Sequence, residues 1–106
     1  MHTHPPPHQA PYVLHLYINP SAATSQLATK NLKRVCEEHL KGRYNLKVIN
    51  IHQHAGLART EQIVAVPTLI KRCPAPFSRL VGDMSNVDGV LRGLNLPESG
   101  ALGAER

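Results

Sequence analysis

Tryptophan is absent from this chain, and its 106 residues include only four aromatic ones, Tyr12, Tyr17, Tyr44 and Phe77. So few rings cannot build a stacking platform for single-stranded nucleic acid, and nucleic-acid binding is not expected despite a formal charge of +5. Cysteine is nearly as scarce. Cys36 and Cys73 lie far apart and make no C-x-x-C pair, which excludes a disulfide framework and a vicinal dithiol. No run approaches the ~20 apolar residues that cross a bilayer, so no membrane association is expected. The opening Met1-His2-Thr3-His4-Pro5 lacks the charged-then-apolar order of a secretory signal, and a cytoplasmic location is the expectation. Glycine-rich phosphate loops are missing, and no Ser/His/Asp set can be assembled. These absences together predict a protein that is not an enzyme and carries no cofactor.

What is present suits one small globular domain. The apolar fraction is 42%, and a chain of this length buries roughly two-thirds of the surface its unfolded form exposes. Residues 1–11 hold four prolines and three of the seven histidines with no recurring apolar position, so they read as a disordered tail. Residues 97–106 are small and polar and read as a flexible second tail. The folded region is then 12–96. Its cations, among them Lys30, Lys33, Arg43, Lys47, Arg72 and Arg79, are scattered along the sequence.

Within that region the hydrophobic period switches between strand and helix. Tyr12 to Ile18 is a dense run of β-formers stopped by Asn19-Pro20, which reads as a buried strand. Ala28, Leu32, Val35, Cys36 and Leu40 recur at helical spacing, with Ser21 or Thr24 as candidate caps and Gly42 as the left-handed stop. Tyr44 to Ile51 alternates apolar and polar residues as a second strand. Strand, helix and strand with short links make a right-handed βαβ unit. The second half is less regular. Leu57 to Val64 reads as two helical turns, Ala65 to Lys71 as a strand, and Cys73-Pro74-Ala75-Pro76 as a rigid turn. Arg79 to Asp83 is a short strand, and Ser85-Asn86 caps a closing helix through Val90, Leu91 and Leu94. The order βαβ then αββα is the thioredoxin order, so the predicted class is α/β with a thioredoxin-like core.

Thioredoxin chemistry needs an activated cysteine at the first turn of the helix after the first strand. That stretch is Asn19-Pro20-Ser21-Ala22-Ala23-Thr24-Ser25 and contains no thiol. Cys36 falls on the apolar face of the helix, where burial silences it. Cys73, in a proline-rich turn beside Lys71 and Arg72, is the residue on which a rival reading as a thiol-dependent redox protein rests. Val66-Pro67-Thr68 stands where this fold commonly places a cis-proline before its third strand. His52 and His54 flank Gln53 with no nearby third ligand, so no metal site is assigned.

Five segments in order carry a more specific signal. Tyr12-Val-Leu-His-Leu-Tyr17, Gly42-Arg-Tyr-Asn-Leu-Lys-Val-Ile49, Ala65-Val-Pro-Thr-Leu69, Gly82-Asp-Met-Ser-Asn86 and Val90-Leu-Arg-Gly-Leu-Asn-Leu96 resemble successive signatures of the KaiB family. The resemblance covers Tyr12 to Leu96 without a gap. It implies a clock-type regulatory protein, or a stress-response adaptor of the same binding chemistry, that docks on the hexameric ATPase KaiC. It also implies self-association as a dimer or tetramer and an alternative ground-state packing of the C-terminal half. A related domain begins certain sensor histidine kinases, and a stand-alone member of the family is the expectation here. Carried over by position, the resemblance makes Lys47, Asn45 and Gln62 partner-binding residues, and Tyr12, Gly93 and Asn95 fold-switch residues. Gln62 stands where lysine is common, Asn95 where aspartate is common, and the usual acidic tail is missing.

Overall fold

The computed structural model describes residues 11–96, so the expectations for residues 1–10 and for the tail 97–106 lie outside the described residues. The order is β1 (Tyr12–Ile18), α1 (Ala23–His39), β2 (Tyr44–Asn50), α2 (Ala55–Thr60), β3 (Thr68–Cys73), β4 (Ser78–Val81) and α3 (Val87–Gly93). One four-stranded sheet runs β2-β1-β3-β4, with β1 parallel to β2 and the other neighbours antiparallel. A parallel neighbour needs a crossover, which α1 provides. The thioredoxin-like order is therefore realised.

Strand alternation divides the sheet into two unequal faces. Tyr12, Leu14 and Leu16 of β1 and Leu69 of β3 join Ala28, Leu32, Val35, Cys36 and Leu40 of the α1 region, and Val90, Leu91 and Leu94 of the α3 region, in one buried core. Each fully buried leucine there contributes about 1.5–3 kcal/mol. The opposite, outer face buries a smaller apolar cluster, Tyr17, Ile49 and Ile70, with Ile51, Ile63 and Val66 packed on them. α2 has six residues and buries none of them.

Local chemistry sets the boundaries, and several differ from expectation. Neither Ser21 nor Thr24 caps α1. The N-cap position is Ala22, with no side-chain cap, because Asn19 organises the turn instead: its Oδ1 accepts the Ser21 N–H and hydroxyl. Gly42 does adopt φ +77, two residues beyond the C-cap Leu40. α2 begins two residues earlier than the apolar pattern suggests and stops at Thr60, since Gln62 turns left-handed at φ 58. β3 starts at Thr68 and runs to Cys73, because Ala65 to Pro67 form the link across the outer face. The Val66–Pro67, Cys73–Pro74 and Ala75–Pro76 bonds are all cis. α3 is capped as expected, Asn86 Oδ1 accepting the Gly89 N–H at 3.0 Å.

Candidate functional site

The outer face is covered at one end only. Tyr17, at the C-terminal end of β1, lies beneath the segment that follows α2, whereas Val13 and His15 at the other end are half-buried. Register places His15 beside Lys47 of β2 and Ile70 of β3. A bulge follows, because Leu14 pairs with Lys71 and Val13 with Cys73, leaving Arg72 as the extra residue. Arg72 Nη1 reaches Glu61 Oε1 at 2.8 Å, and its guanidinium lies 5.7 Å from the Phe77 ring centre. Arg79 of β4 donates to the carbonyls of Glu61 (2.9 Å) and Gln62 (3.2 Å), tying the link after α2 to the sheet edge. Among the described residues, the result is a shallow face bearing His15, Lys47, Arg72 and Arg79 around the carboxylate of Glu61.

Two of the three sequence-predicted partner-binding residues fall together on this face. Asn45 and Lys47 are exposed neighbours on edge strand β2. Gln62 is exposed too, but near β4 on the opposite flank, held through its carbonyl by Arg79. Three strand spacings, roughly 14 Å, separate those flanks. The ground between them belongs to His15 and Arg72, which sequence reasoning did not single out. Alternation with Tyr17 could have flagged His15. Arg72 owes its place to a bulge that no sequence pattern announces.

The proposed switch positions sit elsewhere. Tyr12 opens β1 in the inner core, with Lys71 Nζ 5.9 Å from its ring centre. Gly93 ends α3. The left-handed residue is not Gly93 but Asn95, at φ 60. The Leu96 N–H donates to Leu91 and the Asn95 N–H to Arg92, which is a Schellman closure with asparagine in the position glycine usually takes. What Gly93 provides is proximity: a Cβ there would stand 2.6 Å from Leu80 Cδ1 and 2.9 Å from Leu80 Cγ.

The thiols separate as expected. Cys36 is buried, and burial pushes its pKa up to about 12, far from a reactive thiolate. Cys73 is exposed at the end of β3. His52 and His54 are exposed after β2, and among the described residues no three His, Cys, Asp or Glu side chains gather as a metal set. A groove of about 330 Å³ beside α2 is lined by Ile51, Ala55, Ala58, Ile63 and neighbouring residues, with Arg59 its one charge. No described helix is long and apolar enough to cross a membrane.

Comparison with known proteins identifies the family and the fold. The KaiB domain family model matches residues 15–96. The circadian clock protein KaiB3 of Synechocystis sp. is 42% identical over 88 residues, covering 83% of this chain and 86% of the relative. The circadian clock oscillator protein KaiB of Thermostichus vulcanus is 44% identical over 85 residues, covering 80% and 79%. Among solved structures, the N-terminal domain of SasA from Synechococcus elongatus superposes with a TM-score of 0.66 at 20% identity, covering 90% of this chain and 93% of that one. Chloroplastic thioredoxin z gives a TM-score of 0.62 at 19% identity, covering 71% and 68%. The structural likenesses establish the thioredoxin-like fold, and the sequence matches establish that this chain belongs to the KaiB family.

Proposed function

We propose that this protein is a non-enzymatic, cytoplasmic clock-type regulator that acts by docking its outer sheet face onto a KaiC-type hexameric ATPase. The observation that carries this reading is a sheet face left half-uncovered and furnished with Lys47, His15, Arg72 and Arg79 around the Glu61 carboxylate. A sheet face normally buries apolar residues. One that presents cations at its uncovered end suits an acidic protein surface, which such charges steer and orient. The curated relatives are named as circadian clock proteins, which supports a timing role over a redox one. A thioredoxin-like enzyme would need a thiol at the start of α1, where Ala22 to Ser25 offer none. Self-association as a dimer or tetramer, and repacking of the region after β2 with Gly93 and Asn95 setting the balance, belong to the same reading.

The test is capture by a KaiC-type ring. Wild type should be retained on immobilised ring, and Lys47→Glu should reduce affinity at least tenfold. Retention of the variant at wild-type affinity would remove Lys47 from the contact. The redox alternative is checked separately by insulin reduction: no acceleration is expected, and a rate abolished by Cys73→Ser would reinstate it.

A further inference from the structure

His15 has surroundings that docking of fixed charges alone does not use. It lies half-buried in the middle of the cationic face, beside Lys47 in strand register. Arg72 flanks it from β3, and Glu61, from the segment after α2, brings the nearby negative charge. That carboxylate is committed to Arg72 at 2.8 Å, and Arg79, further across on β4, is committed to backbone carbonyls. Burial first, and then Arg72 and Lys47, hold the imidazole pKa below its ordinary value, with Glu61 opposing only in part. In the free protein at neutral pH the ring is therefore predominantly uncharged.

Resting on the docking reading above, we infer that the His15–Lys47–Arg72 face receives a carboxylate-rich surface of a protein partner, and that docking draws a proton onto His15. Lys47 and Arg72 are charged at every physiological pH and supply constant attraction. His15 is the one group at the centre of the face whose charge can follow its surroundings. A partner carboxylate brought against it reverses the local field that keeps it neutral, raising its proton affinity in the complex. Linkage then requires binding to tighten as pH falls between the bound and free pKa values, up to tenfold per pH unit for one proton. Burial of the ring without a carboxylate would do the opposite, making binding weaker at low pH. The occupant is a protein rather than a polynucleotide, because Phe77, the one exposed ring on this side, is already engaged by Arg72.

The experiment uses the full chain and two probes. Affinity for a KaiC-type ring is measured from pH 8 to pH 6, and the His15 imidazole is titrated by NMR with and without a glutamate-rich dodecapeptide. Wild type should bind the ring about five- to tenfold more tightly at pH 6 than at pH 8. His15→Gln should lose that slope and stay at the weak level, whereas His15→Lys should bind tightly throughout. The other histidines set the background that His15→Gln reports. The peptide should raise the His15 pKa. If the ring fails to bind at any pH but the peptide raises that pKa, the ring reading falls and the acidic-surface inference stands. A wild-type slope equal to that of His15→Gln, or a peptide that leaves the pKa unmoved, overturns the inference. So does single-stranded DNA that binds more tightly than either probe with the same slope.

Discussion

The two faces of one sheet are built to different rules. The inner face meets α1 and α3 through side chains that are almost wholly apolar, and it buries Leu14, Leu16 and Leu69 to 1% exposure or less. The outer face has one six-residue helix beside it and leaves its N-terminal half to His15, Asn45, Lys47 and Arg72. The same strands supply both, one residue apart, because successive side chains point to opposite sides. A single β-strand can thus hold the fold with its even positions and meet a partner with its odd ones. If that division is real, substitutions on the inner face change stability and those on the outer face change binding.

The largest effect is expected at the centre of the inner core. Leu32 is fully buried between α1 and the sheet, and Leu32→Ala removes its transfer energy and leaves a cavity. The loss should be about 2–5 kcal/mol, measured by urea unfolding. A loss below 1 kcal/mol would mean that the helix layer is not the stabilising half of the molecule.

One inner-face residue breaks the rule, and it supplies the second test. Lys71 points inward at register with Leu14, is 1% exposed, and its Nζ has no hydrogen-bond partner among the described residues beyond its position over the Tyr12 ring. Burial lowers its pKa. A lysine whose folded pKa lies below its unfolded value burdens the folded state in full below the folded pKa. That burden is relieved as pH rises through the folded value towards the unfolded one. Lys71→Met keeps the stem and drops the charge, so it should stabilise the fold by about 1–2 kcal/mol at pH 7. The advantage should shrink towards pH 10.5. An advantage that does not change with pH would show that packing, not charge, distinguishes the variant.

The legibility of these features in the sequence followed the same division. β1 and the apolar face of α1 were readable because deep burial on one side leaves a strong period in Tyr12–Ile18 and in Ala28, Leu32, Val35 and Cys36. α2 and β3 were displaced because the segment from Glu61 to Pro67 crosses the outer face as an irregular link. Its apolar Ile63 and Val66 mimic helix or strand while packing from a loop. Of the candidate site, Lys47 and Asn45 could be placed by alternation alone. The meeting of His15, Arg72, Glu61 and Arg79 needed the antiparallel order β1-β3-β4 and the bulge, which are long-range facts. Gly93 and Asn95 were named by the resemblance alone, and neither the approach of Leu80 to Gly93 nor the left-handed angle of Asn95 is written in the local sequence, since both depend on how α3 meets β4 and closes.

Under the proposed function, with its second, self-associated packing, Gly93→Ala is expected to act on the balance between packings more than on this one. The residue is helical here, so alanine gains up to about 1 kcal/mol of backbone entropy. Against that, Leu80 must yield, its Cδ1 standing 2.6 Å from the new Cβ. Leu80 is half-buried on a four-residue edge strand, and because its Cγ also stands 2.9 Å from the new Cβ the whole side chain must turn about its Cα–Cβ bond. The thioredoxin-like packing should change by less than about 1 kcal/mol, with the cost falling on a self-associated form. Size-exclusion chromatography should show the ratio of monomer to self-associated species rising up to about fivefold for a change near 1 kcal/mol. A shift towards larger species would mean that Leu80 does not yield, and Leu80→Ala in the same background would then restore the monomer.

The smallest effect on stability is expected where the effect on function is greatest. Lys47 is exposed on edge strand β2, faces away from the inner core that receives Leu46, and sits beside His15 and not beside a carboxylate. Lys47→Glu therefore breaks no buried contact, and it places a negative charge among His15, Arg72 and Lys47's former neighbours. The melting free energy should move by no more than about 0.5 kcal/mol. The new carboxylate should also raise the His15 pKa, since it replaces a cation that lowers it. The free variant would then carry the proton that the wild type takes up on docking, while presenting the wrong charge to an acidic surface. Weak binding of Lys47→Glu with an unchanged melting curve and a raised His15 pKa is the result that separates a functional outer face from a structural one. A fall of several kcal/mol in stability would instead make Lys47 part of the fold, and the two faces would no longer be distinct in kind.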